Sequence, residues 1–182
     1  IAQSWFDSGN FELAIRQIEN SVTSSARTSL KAETAAGSRE RTVFLAEAYL
    51  RSGNVTKAKD LFGSLIANLP NPAQPDDHAL HSVRALDLIA ESASVPVTFS
   101  DYEHLRRASI YQFNRDFERA RIHYAAIMRD HTGSGLVPDA IFQIGRGNVQ
   151  HGDFIEALKW FERVLEQFPE HPVAEESLLQ AA

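Results

Sequence analysis

Two aspartates and two histidines crowd one short stretch of the chain, at Asp76, Asp77, His78 and His81. Histidines three apart share a helix face, and a carboxylate beside them gives a set able to hold a metal ion. A plainer reading has the aspartates opening a helix and the histidines sitting in its first turn. A proline-rich approach without a supporting shell of polar groups favours that reading, so no metal and no cofactor is expected. The other histidines, His104, His123, His131, His151 and His171, are expected singly in helices or turns. None has a serine or aspartate at a spacing diagnostic of a nucleophile. Neither a nucleophile elbow nor a phosphate-cradling glycine loop occurs. Gly145-Arg146-Gly147 looks like half a dinucleotide fingerprint, but it lies in a helical pattern with no strand before it, and close helix packing accounts for it better. The chain has no cysteine, so thiolate metal sites, disulfides and cysteine nucleophiles drop out as well. No catalysis is expected of this segment.

The elements that carry these residues come from an ordinary globular composition. The 182 residues are 43% hydrophobic and 23% charged, enough apolar material for a real core. A net charge of −6 counts against nucleic acid as the main partner. No apolar run approaches the roughly 20 residues of a membrane helix. The chain opens on Ile1 without a methionine or a signal peptide, so a segment of a longer protein is expected.

The strongest signal is a repeat. From Pro138 to Pro169, Ile141, Ile144 and Gly145 share one face of a first helix. Gly152 and Asp153 turn the chain, and Phe154, Ala157, Phe161 and Val164 share a face of a second helix, which Pro169 ends. Asp153 and Glu156 have capping-box spacing. From Arg39 to Pro70 the same offsets hold Leu45, Ala46, Tyr49, Gly53, Val55, Ala58, Phe62 and Leu65. A third copy, Asp101 to Asp130, carries Ala108, Tyr111, Phe117, Ala120, Tyr124 and Ile127, with Arg115 where the turn glycine should be. A shortened copy opens the chain with Ala2, Trp5, Gly9, Phe11, Ala14 and Ile18. Small residues at fixed offsets allow two helices to approach closely, and no pair buries its apolar face alone, so neighbours must stack.

Between the second and third copies lies an insert. Pro70 to Pro75 is a stiff linker, and a helix is expected from Ala79 to Glu91 with Leu80, Val83, Leu86 and either Leu88 or Ala90 on its buried side. Ser94 to Thr98 is extended, and Ser100 with Glu103 should cap the next helix. Thr23 to Ser38 is either a long loop or an extension of the helix before it. Leu178 and Leu179 near the end are presented to an absent partner helix, an apolar end that either receives more protein in a longer chain or invites self-association. The arginines of the middle unit, Arg106, Arg107, Arg115, Arg119, Arg121 and Arg129, face almost as many carboxylates, so internal pairing is expected rather than a nucleic-acid track. Residues 153–182 are acidic, with only Lys159 and Arg163 opposing seven carboxylates.

These repeats resemble the tetratricopeptide repeat family, whose unit is an antiparallel helix pair of about 34 residues. The resemblance implies an all-α fold, a right-handed α-solenoid of antiparallel helix pairs with one degenerate unit. A single domain over 1–182 is expected, with units at about 1–22, 39–70, 101–130 and 138–169, a degenerate one at 79–98, and the start of another at 172–182. It further implies a concave face lined by the first helix of each pair. Carried over by offset, that face comprises Glu40, Val43, Glu47, Leu50 and Arg51 in one unit. It continues with Tyr102, Leu105, Ser109, Gln112 and Phe113, then Asp139, Phe142, Arg146, Val149 and Gln150. For Leu105 and Phe142 the next helix layer is an equal destination. Members that clamp a terminal carboxylate place lysine and asparagine here, and this chain has Val43 with Glu47, Leu105 with Ser109, and Phe142 with Arg146, so no such clamp is expected.

The implied function is a non-catalytic scaffold that takes a protein or peptide partner in its groove, with no nucleic acid and no membrane span. A second resemblance points elsewhere. Gln167 to Ala174, the Asp153 turn and the run Tyr111 to Ala120 look like repeats of bacterial envelope proteins, including outer-membrane assembly lipoproteins and the superhelical arms of soluble lytic murein transglycosylases. On that reading the segment is the non-catalytic arm of a cell-wall enzyme whose catalytic domain lies beyond Ala182, and a periplasmic or envelope location is favoured over the cytoplasm.

Overall fold

The computed structural model describes residues 2–27 and 35–181. Every regular element among them is a helix: α1 (Ala2–Asp7), α2 (Phe11–Arg27), α3 (Ala35–Arg51), α4 (Val55–Ala67), α5 (Asp77–Glu91), α6 (Asp101–Phe113), α7 (Phe117–Asp130), α8 (Val137–His151), α9 (Phe154–Gln167) and α10 (Pro172–Ala181). Consecutive helices pack as pairs, as a tetratricopeptide-like helical repeat requires. The chain divides into two compact units. The first holds residues 1–70 and 77–97, and the second holds 71–76 and 98–182.

In the first unit Ala14, Ile15 and Ile18 of α2 are buried with Ala46, Ala48 and Tyr49 of α3 and Ala58, Phe62, Leu65 and Ile66 of α4. The small residues predicted at the helix crossing, Ala46 and Ala58, are fully enclosed. Gly53 turns α3 into α4 at φ +85°, a left-handed conformation that glycine adopts without the penalty a Cβ brings. The Asn54 side chain then caps α4 by accepting the Lys57 N–H at 3.2 Å. At the far end of α4 the Arg39 guanidinium donates to the Asn68 carbonyl at 2.9 Å, closing a helix end whose carbonyls lack partners within the helix. The helix foreseen at 79–91 begins two residues earlier, and its buried side differs from the expectation. Val83 and Leu86 are buried as expected, but with Ala79, Ser82 and Asp87, whereas Leu88 is 64% exposed. These residues recur at helical spacing on the side that packs chiefly on α4, and Leu88 falls off that stripe.

The segment Thr23 to Ser38 contains the end of α2, through Arg27, and the start of α3 at Ala35; its middle, 28–34, lies outside the described residues.

The second unit stacks α6–α7 and α8–α9, with α10 on α9 and α8. Ser100 and Glu103 form the expected capping box: the Ser100 hydroxyl accepts the Glu103 N–H at 3.2 Å, and the Glu103 carboxylate accepts the Ser100 N–H at 2.8 Å. The capping box predicted at Asp153 and Glu156 does not form. Asp153 precedes α9 without a side-chain cap bond, and Glu156 instead accepts from Lys159 Nζ at 2.8 Å. Arg115 takes φ +62°, reproducing with a side chain the backbone that Gly53 and Gly152 adopt freely. Gly145 marks a close crossing: a Cβ there would lie 2.6 Å from the Phe161 ring, itself fully buried.

Candidate functional site

One stripe of α3 carries Glu40, Val43, Glu47 and Arg51, residues three and four apart that a helix brings onto one side. The fold gives that stripe two walls. Phe6 of α1 sets its ring centre 5.0 Å from that of Phe44, tilted against it, and His81 of α5 places Nε2 2.7 Å from Glu47 Oε1. Between these three helices lies an open cleft of about 430 Å³, lined by all four stripe residues. Its interior wall is mainly apolar, from Phe6, Val43 and Phe44, with charged groups around it. The hydrogen bond from His81 is the largest influence holding the Glu47 carboxyl below its usual range; burial pushes the other way, and the charges of His81 and Arg51 add to the lowering. Arg51 Nε stands 3.9 Å from the other Glu47 oxygen. Glu47 is thus an ionised carboxylate tied to two helices.

In the second unit the offset-selected residues scatter. Tyr102 is 69% exposed, and Phe113 and Gln150 are exposed as well. Ser109 is half-buried and hydrogen-bonded to Tyr124, whose burial pushes its phenol up to about 12. Two residues of the expected groove belong to the interior. Phe142 is 3% exposed because its ring packs 5.7 Å from Phe161, and Gln112 is buried with Nε2 donating to Gln143 Oε1 at 3.0 Å. Arg146 lies half-buried with its guanidinium 5.9 Å from the Phe142 ring. Internal pairing holds among the arginines of α7: Arg121 meets Glu118 at 2.9 Å, Arg129 meets Asp130 at 2.6 Å and Arg119 lies 3.8 Å from Asp116.

The cluster at 76–81 does not converge. His81 is committed to Glu47, and the Asp76 N–H donates to Asn114 Oδ1 at 3.1 Å. Among the described residues no three carboxylates or imidazoles are arranged to hold a metal ion.

Histidines expected singly are instead gathered. His104 Nδ1 and His123 Nδ1 are 3.0 Å apart, and the His131 ring lies 5.9 Å from that of His104. His131 Nε2 donates to the Phe99 carbonyl at 3.0 Å, the Arg107 guanidinium covers the Phe99 ring at 4.0 Å, and Tyr111 stacks on His123. Burial, reinforced by His123, His131 and Arg107, pushes the His104 imidazole down to about 4. The sequence held a signal for this: His104 precedes Ala108 by four and His123 follows Ala120 by three, so both fall on the inward stripes of their helices.

Residues 45–72, the end of α3, all of α4 and the residues just after it, match the model of the tetratricopeptide repeat. Tetratricopeptide repeats are generally non-catalytic and generally bind protein partners. No curated protein matches the chain, and among the described residues no helix is long and apolar enough to cross a membrane.

Proposed function

We propose that this segment is a non-catalytic scaffold whose cleft between α1, α3 and α5 receives a peptide segment of a protein partner. The observation that carries the reading is convergence: Glu40, Val43, Glu47 and Arg51, selected by repeat offset alone, line one cleft whose opposite walls come from α1 and α5. A cleft of about 430 Å³ with an apolar floor and polar rim has the size and character of a site for two or three side chains.

Selection of random peptides displayed on phage against the purified chain tests this. Enriched peptides should lose at least ten-fold in affinity against Val43→Arg, which fills the cleft from a half-buried position, while far-ultraviolet circular dichroism stays unchanged. Equal binding to a folded Val43→Arg variant would remove the cleft from the account.

A further inference from the structure

The charges around the α1–α3–α5 cleft specify its occupant. Three carboxylates line it, Glu40, Glu47 and Asp77, against one guanidinium, Arg51. Glu47 is already answered by His81 at 2.7 Å and by Arg51 at 3.9 Å. Glu40 and Asp77 are not: both are exposed, and among the described residues neither has an ion-pair partner. The charge left over is therefore negative and lies toward the N-terminal ends of α3 and α5. Arg51 closes the other end, eleven residues along α3 from Glu40, or about 16 Å at 1.5 Å per residue. The Phe6–Phe44 pair, with rings 5.0 Å apart, and Val43 present the apolar surface.

We infer that the cleft takes an extended peptide segment bearing a lysine or arginine next to an apolar side chain, the cation meeting Glu40 and Asp77 and the apolar group lying against Phe6, Phe44 and Val43. The inference rests on the cleft reading above and adds the partner's chemistry. The exposed carboxylates are each a modest contribution, since ion pairs in water contribute roughly 0.2–1 kcal/mol, or about 1.4- to 5-fold in affinity. Their larger effect is to exclude acidic segments, because an acidic side chain would face two uncompensated like charges.

A positional-scanning library of acetylated, amidated octapeptides separates this from the underlying reading. Its pools are measured by fluorescence anisotropy against wild type, Val43→Arg and the double variant Glu40→Gln with Asp77→Asn. Wild type should favour pools with lysine or arginine at one position beside an apolar one, and should bind them several-fold more weakly at 300 mM than at 50 mM salt. The double variant should lose that cationic preference and its salt dependence while keeping the apolar preference. Val43→Arg should lose both. A wild-type preference for acidic pools, or a cationic preference that survives the double variant, overturns the inference even where Val43→Arg abolishes binding. Undiminished binding to Val43→Arg overturns the cleft reading itself.

Discussion

The two units place different residues at equivalent offsets, and the contrast explains why one is open and the other filled. Val43 on α3 corresponds to Phe142 on α8, each three residues before the small crossing residue, Ala46 or Gly145. Valine reaches only far enough to wall a cleft, whereas the Phe142 ring extends to Phe161 and becomes core. One position past the crossing residue, Glu47 reaches to His81 on α5, while Ser109, one past Ala108 on α6, bonds to Tyr124 of its own hairpin. A shared repeat grammar sets where helices cross. Side-chain length at the inner offsets decides whether a surface or an interior results.

The largest effect that sharpens this contrast is at the crossings. Gly145→Ala places a methyl group 2.6 Å from a Phe161 ring with nowhere to go, so a loss of about 2–3 kcal/mol is expected. Gly63→Ala in α4 meets nothing within 4 Å and should gain roughly 0.5–1 kcal/mol through helix propensity. Chemical denaturation of both variants measures the difference, and equal shifts would mean the second unit is not closer packed at this crossing.

Acid should separate the units next. His104 is held at about 4 when folded and returns to about 6.5 when unfolded, so the unfolded chain binds the proton first. Its neutral form stabilises the fold fully above pH 6.5, and that stability drains away as pH falls from 6.5 to 4. Partly exposed and facing His123, His131, Arg107 and Asp130, it should account for about 1–2 kcal/mol once solvent screening is allowed for. Glu47, whose pKa is lowered, contributes stability above the ordinary glutamate range that is lost only as pH falls below it. Hydrogen exchange followed from pH 7 to 4.5 should therefore show α6 and α7 losing protection before α3 and α5, and His104→Gln should remove that lead.

Smaller still are the caps. Asn54→Ala should cost about 1 kcal/mol because Asn54 accepts the Lys57 N–H, while Asp153→Ala should fall within a few tenths because Asp153 makes no cap bond. The smallest expected change is a gain: Arg115→Gly relieves a left-handed residue at φ +62°, offset by added freedom in the unfolded chain, for about 0.5 kcal/mol net. Thermal melts of the three variants give the order directly.

Much of the fold was legible because its determinants are local. Ala46, Ala58, Gly145 and Ala157 announce helix crossings by size and interval, Gly53 and Gly152 announce turns by backbone freedom, and Ser100 with Glu103 announces a cap by spacing. The site was legible on α3, where one stripe supplies a whole wall. What required a third helix was not. Periodicity assigns Phe142 and Gln112 a face, but whether that face is covered depends on Phe161 and Gln143, which lie elsewhere in the sequence. The Glu47–His81 pair joins helices separated by the whole of α4, and the histidine cluster spans α6, the middle of α7 and the residue just after it. At Asp153 the spacing was right and the outcome different, because Lys159 competes for Glu156 within the same helix.

The most direct measurement is the pattern of backbone amide shifts in the isotope-labelled chain as a selected cationic peptide is added. Saturable changes should concentrate on Gln3 and Phe6, on Glu40 to Arg51, and on Asp77 to His81, with α7 and α9 unmoved. Shifts centred on α7 and α9, or none at saturating peptide, would contradict the claim that α1, α3 and α5 enclose the binding cleft.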